Sequence, residues 1–441
     1  MSCLTALPLI LLVASGEPGG KDVLRFSALP GEAELGRWLW DRAPGLAVSR
    51  ARVSVARAQI TRSEALPNPT LDLSWNTIPV GETNPAHLNA PLSNVPNYAV
   101  FLSQPFELGK RGPRQRAARH GAEAALWDAV EQLRLTWLDL QMVIARAASS
   151  EQRIAALTGL AEDAGKLSEL QRRRAEKGDV ANLEFERARL EEERLRSSLA
   201  EERHKLEVAL TDCARLTGAI CEPFGQAERA HAFFDAAVSR SREGVDSLRA
   251  RVTERPDVKS LAASEQAAQA TGDLARARVW PDPSLRVGFV YDTFTVSGNQ
   301  NKSVSVGVSL PLPVFERGRA DRAEASATGW AVRQTRDRAL AQAEVELPLL
   351  LRQLDELRAR RTRMRESILP SAQSIVERIS KAVAAGGALL QDLFQARRTL
   401  GDLLGDAADL DLAAFETSLA LLRAAGNSPV AIETLRQNVT P

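Results

Sequence analysis

The residues whose types could carry chemistry are few and scattered. Cys213 and Cys221 frame the stretch Cys-Ala-Arg-Leu-Thr-Gly-Ala-Ile-Cys. In an oxidising compartment such a pair closes a small disulfide loop at a helix end; two separate core thiols are the alternative reading. The spacing is wrong for zinc and no histidine adjoins it. His87, His120, His204 and His231 lie far apart, and the chain has only 3 Met, so no copper- or zinc-binding cluster is written here. Lys110, Arg111, Arg114, Arg116 and Arg119 form a basic cluster that Arg317, Arg319 and Arg322 repeat. At a membrane boundary these would meet anionic headgroups, while a solvated helix start is the plainer reading. Without interleaved aromatics they do not suit nucleic acid. No phosphate loop, nucleophile elbow or His-Glu-x-x-His is present, which argues against an enzyme and implies no cofactor.

The bulk properties narrow the class. Lys+Arg 57 against Asp+Glu 56 leaves a formal charge of +1, too little to draw in nucleic acid. With 44% hydrophobic residues the chain is not disordered, and its 5% aromatic content matches the Ala/Leu/Arg/Glu texture of long paired helices. The acids lie on helix faces, where salt-bridge lacing accounts for them. Leu4 to Ala14 is an apolar run followed by small residues, so 1–20 reads as a signal peptide, although no Lys or Arg precedes it and Cys3 stands before the run. A buried N-terminal element is the alternative. Beyond it no stretch is long and apolar enough for a spanning helix.

The elements that position these residues are written twice. Leu66-Pro67-Asn68-Pro69-Thr70-Leu71 recurs as Trp280-Pro281-Asp282-Pro283-Ser284-Leu285. Pro105-Phe-Glu-Leu-Gly-Lys-Arg-Gly112 matches Pro311-Leu-Pro-Val-Phe-Glu-Arg-Gly318, and Gly178 with Ala188-Arg189 matches Gly386 with Ala396-Arg397. Pro44 pairs with Pro256 in the same order. The displacement stays at 206 to 214 residues, which makes this a duplication and not a solenoid. Repeat 1 is expected over 28–225 and repeat 2 over 226–425, with a tail at 426–441.

Each repeat reads alike. A helix (45–66, 257–280) is stopped by Pro-x-Pro. A strand pair follows (70–105, 284–312), with the period-two alternation of one apolar and one polar face. It is clearest in Val304-Ser-Val-Gly-Val-Ser-Leu310. A helix pair closes each repeat (113–217, 319–425), turning at Gly178-Asp179 and Gly386-Gly387. Pro348 and Pro370 are expected to kink the second long helix. Leu389, Leu393, Ala396, Leu400, Leu403, Ala407, Leu410 and Ala414 form a heptad seam, which Leu195, Leu199, Leu206 and Leu210 continue in the first repeat. The long helix of about 64 residues would reach about 95 Å, and a short plus a returning helix would match it end to end as a rod. Two isolated hairpins are marginal in water. Strands with one apolar face suit a bilayer, where only a closed barrel satisfies the backbone. Four strands are too few, so chains must pool them, and three chains give twelve.

On these features the sequence resembles the TolC-type outer-membrane efflux channels. The duplicated helix–strand–strand–helix plan, Leu66-Pro-Asn-Pro69, Ser103-Gln-Pro-Phe-Glu-Leu-Gly-Lys-Arg111 and the tip motifs carry the likeness, from about Ala28 to Ala425. The Gln-Pro-Phe-Glu-Leu-Gly-Lys-Arg stretch is most similar to the heavy-metal branch. The resemblance implies a mainly α fold with a small β part. It also implies a homotrimer with a coiled-coil α-barrel in the periplasm and a shared 12-stranded transmembrane β-barrel among outer-membrane lipid. Its partners would be a periplasmic adaptor and an inner-membrane transporter of the resistance-nodulation-division type. The function implied is that of a passive exit duct, possessing no catalytic, cofactor or metal residues. A type I secretion or drug-efflux duct shares the fold, and a soluble coiled-coil scaffold is the other alternative. The family's tip turns correspond to Gly178 and Gly386. Its pore-facing acids, six positions on, correspond to Glu184 and Asp392, a carboxylate ring selecting cations in a trimer. Lys177 and Asp179 depart from the small or apolar residues the family prefers beside the first glycine.

Overall fold

The structure, a computed structural model, describes residues 23–75, 97–240, 244–292, 300–315 and 317–426. The expected leader, Cys3, His87, the loop at 77–96, most of the loop at 293–302 and the tail from 427 lie outside the described residues. The fold is mainly helical. The chain forms two compact units, one from Met1–Ala47, Leu133–Leu248 and Glu346–Val430, the other from Val48–Gln132, Arg249–Val345 and Ala431–Pro441. These cut across the two sequence repeats, because each long helix serves both units.

In the first unit, β1 (Val23–Arg25) leads into α1 (Glu32–Arg42). The long helix α3 (Arg111–Glu176) returns as α4 (Asn182–Thr217), followed by β4 (Ile220–Glu222) and α5 (Ala227–Arg240). β1 pairs with β4 in parallel, and Arg25 meets Glu222 at 2.9 Å. Phe26, Phe224, Phe233, Phe234 and Phe415 stack around this pair with ring centroids 5.2 to 5.8 Å apart. Five phenylalanines thus form an aromatic cluster where helices meet this small sheet.

The second long helix is α8 (Arg319–Arg363), a π turn at Met364–Ile368, then α9 (Leu369–Ala384) and the returning α10 (Leu390–Ala425). α8 runs through Pro348 without interruption. At Pro370 the helix does change: Pro370 has no N–H for the usual bond, and the Leu369 N–H reaches five residues back to Met364 O. Of the expected seam, Leu393, Leu400, Leu410 and Ala414 are buried. Leu195, Leu199, Leu206 and Leu210 on α4 are only half covered.

Four helices of this unit converge on Asp411, which is 1% exposed. Arg361 donates to its Oδ1 at 2.6 Å and Arg365 to its Oδ2 at 2.5 Å. Gln152 of α3 donates to Oδ2 at 3.3 Å, and His231 Nδ1 of α5 stands 3.6 Å away. Asp235 binds both arginines from the solvent side. Burial alone would raise the Asp411 carboxyl. The contact with His231, the Arg361 hydrogen bond and the charges of Arg361 and Arg365 outweigh it and bring it to about 2.

In the second unit, α2 (Pro44–Glu64) enters β2 (Thr70–Trp75) and β3 (Asn97–Pro105); α7 (Pro256–Ala277) enters β5 (Ser284–Asp292) and β6 (Lys302–Ser309). A short helix, α6 (Val245–Val252), precedes α7. Glu265 of α7 is buried between Arg333 and Arg336 of α8, at 2.6 Å from each. Gly318 starts α8 with φ 68°, and a Cβ there would stand 2.7 Å from Ala275 O, so glycine lets α8 close on α7.

Removing the buried Asp411 carboxylate leaves Arg361 and Arg365 with only the exposed Asp235 as an acid partner among the described residues. Asp411→Ala should therefore cost about 3–5 kcal/mol at pH 7 in chemical denaturation of the purified protein. The carboxyl titrates lower when folded than unfolded, so its contribution is full above about pH 4 and is lost as pH falls toward 2. The gap between parent and variant should close over that window.

Candidate functional site: an exposed apolar strand face and two hairpin tips

The four-stranded sheet runs β2-β3-β5-β6, every neighbour antiparallel. The central pair, β3 with β5, joins a strand of each repeat, so neither repeat owns a complete sheet. Register aligns the alternation across all four strands. Leu71, Leu102, Val287 and Val306 form one row; Leu73, Val100, Phe289 and Val304 form the next. Leu285 and Val308 begin a third, and Trp75, Tyr98 and Tyr291 a fourth. All the aliphatic members and Phe289 are exposed, Val304 to 73% and Leu73 to 71%. The opposite face carries Thr70, Asp72, Ser74, Asn97, Ala99, Ser103, Gly288, Val290, Asp292, Ser303, Ser305 and Gly307, with Phe101 and Arg286 as its bulkiest members.

This arrangement leaves one side of the sheet apolar and uncovered among the described residues. A continuous apolar patch of this kind marks a surface destined for lipid or another chain. The edge strands β2 and β6 have no second strand partner among the described residues.

Beneath the sheet, Asp282 of the second Pro-x-Pro segment accepts the Leu108 N–H at 3.0 Å and the Lys110 Nζ at 2.7 Å. Arg114 binds Glu107 and donates to the Ser63 and Ala65 carbonyls at 3.0 and 3.1 Å. Gln104 Nε2 donates to Pro67 O at 3.1 Å. Within the basic cluster, Lys110 and Arg114 are thus part-buried and fasten strand ends to helix ends. Arg116 and Arg119 are exposed and make the weak surface pairs with Asp273 and Glu64. Asp282 escaped the sequence reading, though the change from Asn68 to Asp282 between the repeats was its signal.

The two tips, in the first unit, share one geometry. Gly178 and Gly386 both take φ 77°. The Asp179 N–H reaches Arg174 O at 2.9 Å, and the Gly387 N–H reaches Ala382 O at 2.8 Å. These are the Schellman bonds that end a helix on a left-handed glycine. Glu184 and Asp392 are each the third residue of the returning helix, after Ala181 and Leu389 at the cap. Glu184 accepts Arg187 at 3.0 Å, and Asp392 accepts the Leu389 N–H at 3.3 Å. Acids at that position offset the positive end of the helix. Cys213 and Cys221 are joined as a disulfide with Cα atoms 6.2 Å apart. The bond spans the Gly218 turn between α4 and β4, where Thr217 Oγ1 also receives the Ala219 N–H at 3.2 Å. It staples the fold and is remote in sequence from the tips.

Among the described residues no group of three or more His, Cys, Asp or Glu could hold a metal ion. His231 serves the Asp411 network, and His120 lies 3.8 Å from Glu123. Among the same residues no helix is long and apolar enough to cross a membrane.

Long helical hairpins and a sheet with one exposed apolar face together point to the class of outer-membrane channel proteins. The sequence pattern of the family described as outer membrane efflux protein matches residues 39–219 and 248–427, and the chain belongs to that family. Its members are passive channels and not enzymes. The fold is similar to that of the outer membrane protein VceC of Vibrio cholerae, with TM-score 0.67 and 19% identity over 90% of this chain and 96% of that one. It is similar also to the CmeC outer membrane channel of Campylobacter jejuni, with TM-score 0.71 and 16% identity over 92% and 88%. A third similar fold is CusC, with TM-score 0.71 and 18% identity over 90% and 92%. Among curated proteins none matches this chain by sequence.

If the apolar rows face lipid, the two sides of β6 must respond oppositely to charge. Val306→Arg should cost about 2–4 kcal/mol at mid-bilayer. It should abolish recovery of the protein with floated lipid vesicles, while Ser305→Arg remains vesicle-bound.

Proposed function

We propose that three copies of this chain close a twelve-stranded barrel in the outer membrane and form the exit duct of a tripartite efflux system. The observation that carries this is the register of exposed apolar rows across a sheet with two open edges. In a bilayer each edge must be paired, and only closure removes edges. Two copies would give an eight-stranded barrel, whose interior side chains fill; twelve strands leave a lumen. The duplication, with two strands from 28–225 and two from 226–425, supplies the four strands per copy. A leader over 1–20 would deliver the chain to the periplasm. The helical hairpins of the three copies then enclose the periplasmic tunnel.

In this reading Gly178 and Gly386 turn the tips on which a periplasmic adaptor docks, with Lys177 and Asp179 altering the first of them. Glu184 and Asp392 supply six carboxylates at the mouth, a ring that favours cations. Energy comes from an inner-membrane transporter of the resistance-nodulation-division type. Heavy-metal cations are the favoured cargo, on the resemblance of the Gln-Pro-Phe-Glu-Leu-Gly-Lys-Arg stretch; a drug or type I secretion duct would use the same fold. A metal-sensitivity profile of a deletion strain separates these cargoes.

The mouth is tested in planar bilayers. Asp392→Ala should raise single-channel conductance and weaken block by trivalent cations. Unchanged conductance and block would place Asp392 away from the pore.

A further inference from the structure

On the polar face of the sheet most side chains are small, and one place carries the two bulkiest groups. Phe101 of β3 lies opposite Gly288 of β5. A Cβ at Gly288 would stand 2.1 Å from Phe101 Cδ1 and 2.5 Å from Val100 O, so the ring occupies the space that the glycine leaves. Covering a strand glycine with a cross-strand aromatic is a known way to hold register. The Arg286 guanidinium then stacks on the ring, with its Cζ 3.6 Å from the centroid. Arg286 is exposed and forms no ion pair with any described residue. Its donor edge therefore keeps its charge open toward whatever passes that face. The acids on the same face are Asp72, in register with Phe101, and Asp292, opposite Asn97 at the far end of β3.

We propose that Arg286, held by Phe101 over Gly288, is the charge-selecting residue of the β-barrel lumen. The inference rests on the reading above, in which the polar face lines the pore. In three copies the stack recurs three times around one level of the barrel. There the guanidinium and ring are the largest groups projecting from a wall otherwise mostly of Ser, Gly, Ala and Thr, with Val290, Asp72, Asn97 and Asp292 as its other members. A ring of unpaired guanidinium groups favours anions and resists cations. The chemical class favoured at this level is therefore a small anion or the anionic complex of a cargo, opposite in sign to the carboxylates proposed at the tip. Guanidinium suits this role better than an ammonium, because its flat face stays on the ring while its edge binds solute.

The test is the chloride-to-potassium permeability ratio of the purified full-length protein in planar bilayers under a salt gradient. It is measured in the native protein and again in the Asp392→Ala background, so that the mouth does not mask the barrel. Arg286→Gln should lower the ratio severalfold, Arg286→Glu should lower it further, and Arg286→Lys should largely retain it. Phe101→Leu should raise conductance and lower the ratio partway, since the charge stays but its platform goes. Channels whose ratio is the same in the parent, Arg286→Gln and Arg286→Glu would overturn this inference and leave the duct intact. A parent protein that forms no channel at all would overturn the duct and this inference together.

Discussion

A strand at the edge of a sheet must find hydrogen-bond partners, and in a bilayer water cannot provide them. That constraint governs the rest of this molecule. One chain builds a four-stranded sheet, aligns its apolar side chains on one face, and among the described residues leaves β2 and β6 without a second partner. Neither the sheet's edges nor its exposed valines and leucines are stable as they stand in water. In the proposed reading the fold is thus a part that other copies of the chain complete. The gene-scale duplication does not solve this within the chain, because pairing β3 with β5 yields only one four-stranded sheet.

The helices face a different problem. Long helices with few aromatics must be packed by small residues and fixed by charge. Gly272 and Gly329 place α7 and α8 close together, with Cβ positions 3.7 and 3.5 Å from Ala325 and Ala268. Where packing is thin, paired ions fix the arrangement: Glu265 between two arginines in one unit, Asp411 beneath two in the other. Such networks specify which helix lies against which, more than they add net stability. The π turn at Met364–Ile368 is part of the same economy, since it lies between Arg361 on α8 and Pro370 and carries Arg365 itself.

What the sequence revealed follows from the range of each interaction. Period-two alternation is local, so the strands at Thr70–Trp75 and Lys302–Ser309 were legible to within about two residues at their ends. Helix ends were legible because proline and glycine act on their own backbone; α8 begins at Arg319 as expected, and α4 ends at Thr217 within one residue. The tip turns at Gly178 and Gly386 were read for the same reason. Pro348 lies inside α8 and does not end it, since a long helix tolerates a missing bond. The pairings that matter most are distant in sequence. Lys110 and Asp282 lie 172 residues apart, and Gln152 and Asp411 lie 259 apart. One acid among 56 carries no mark of which will be buried. Phe101 and Gly288 read separately as an ordinary strand aromatic and a weak strand residue; only register shows that one covers the other.

The central claim is that this sheet is completed by other copies of the same chain within a membrane. The mass of the complex extracted from membranes in mild detergent, by native mass spectrometry, tests it most directly. The account predicts one species at about three times the 47.9 kDa chain, less any cleaved leader. A stable monomer, or a protein recovered in buffer without detergent, would contradict it.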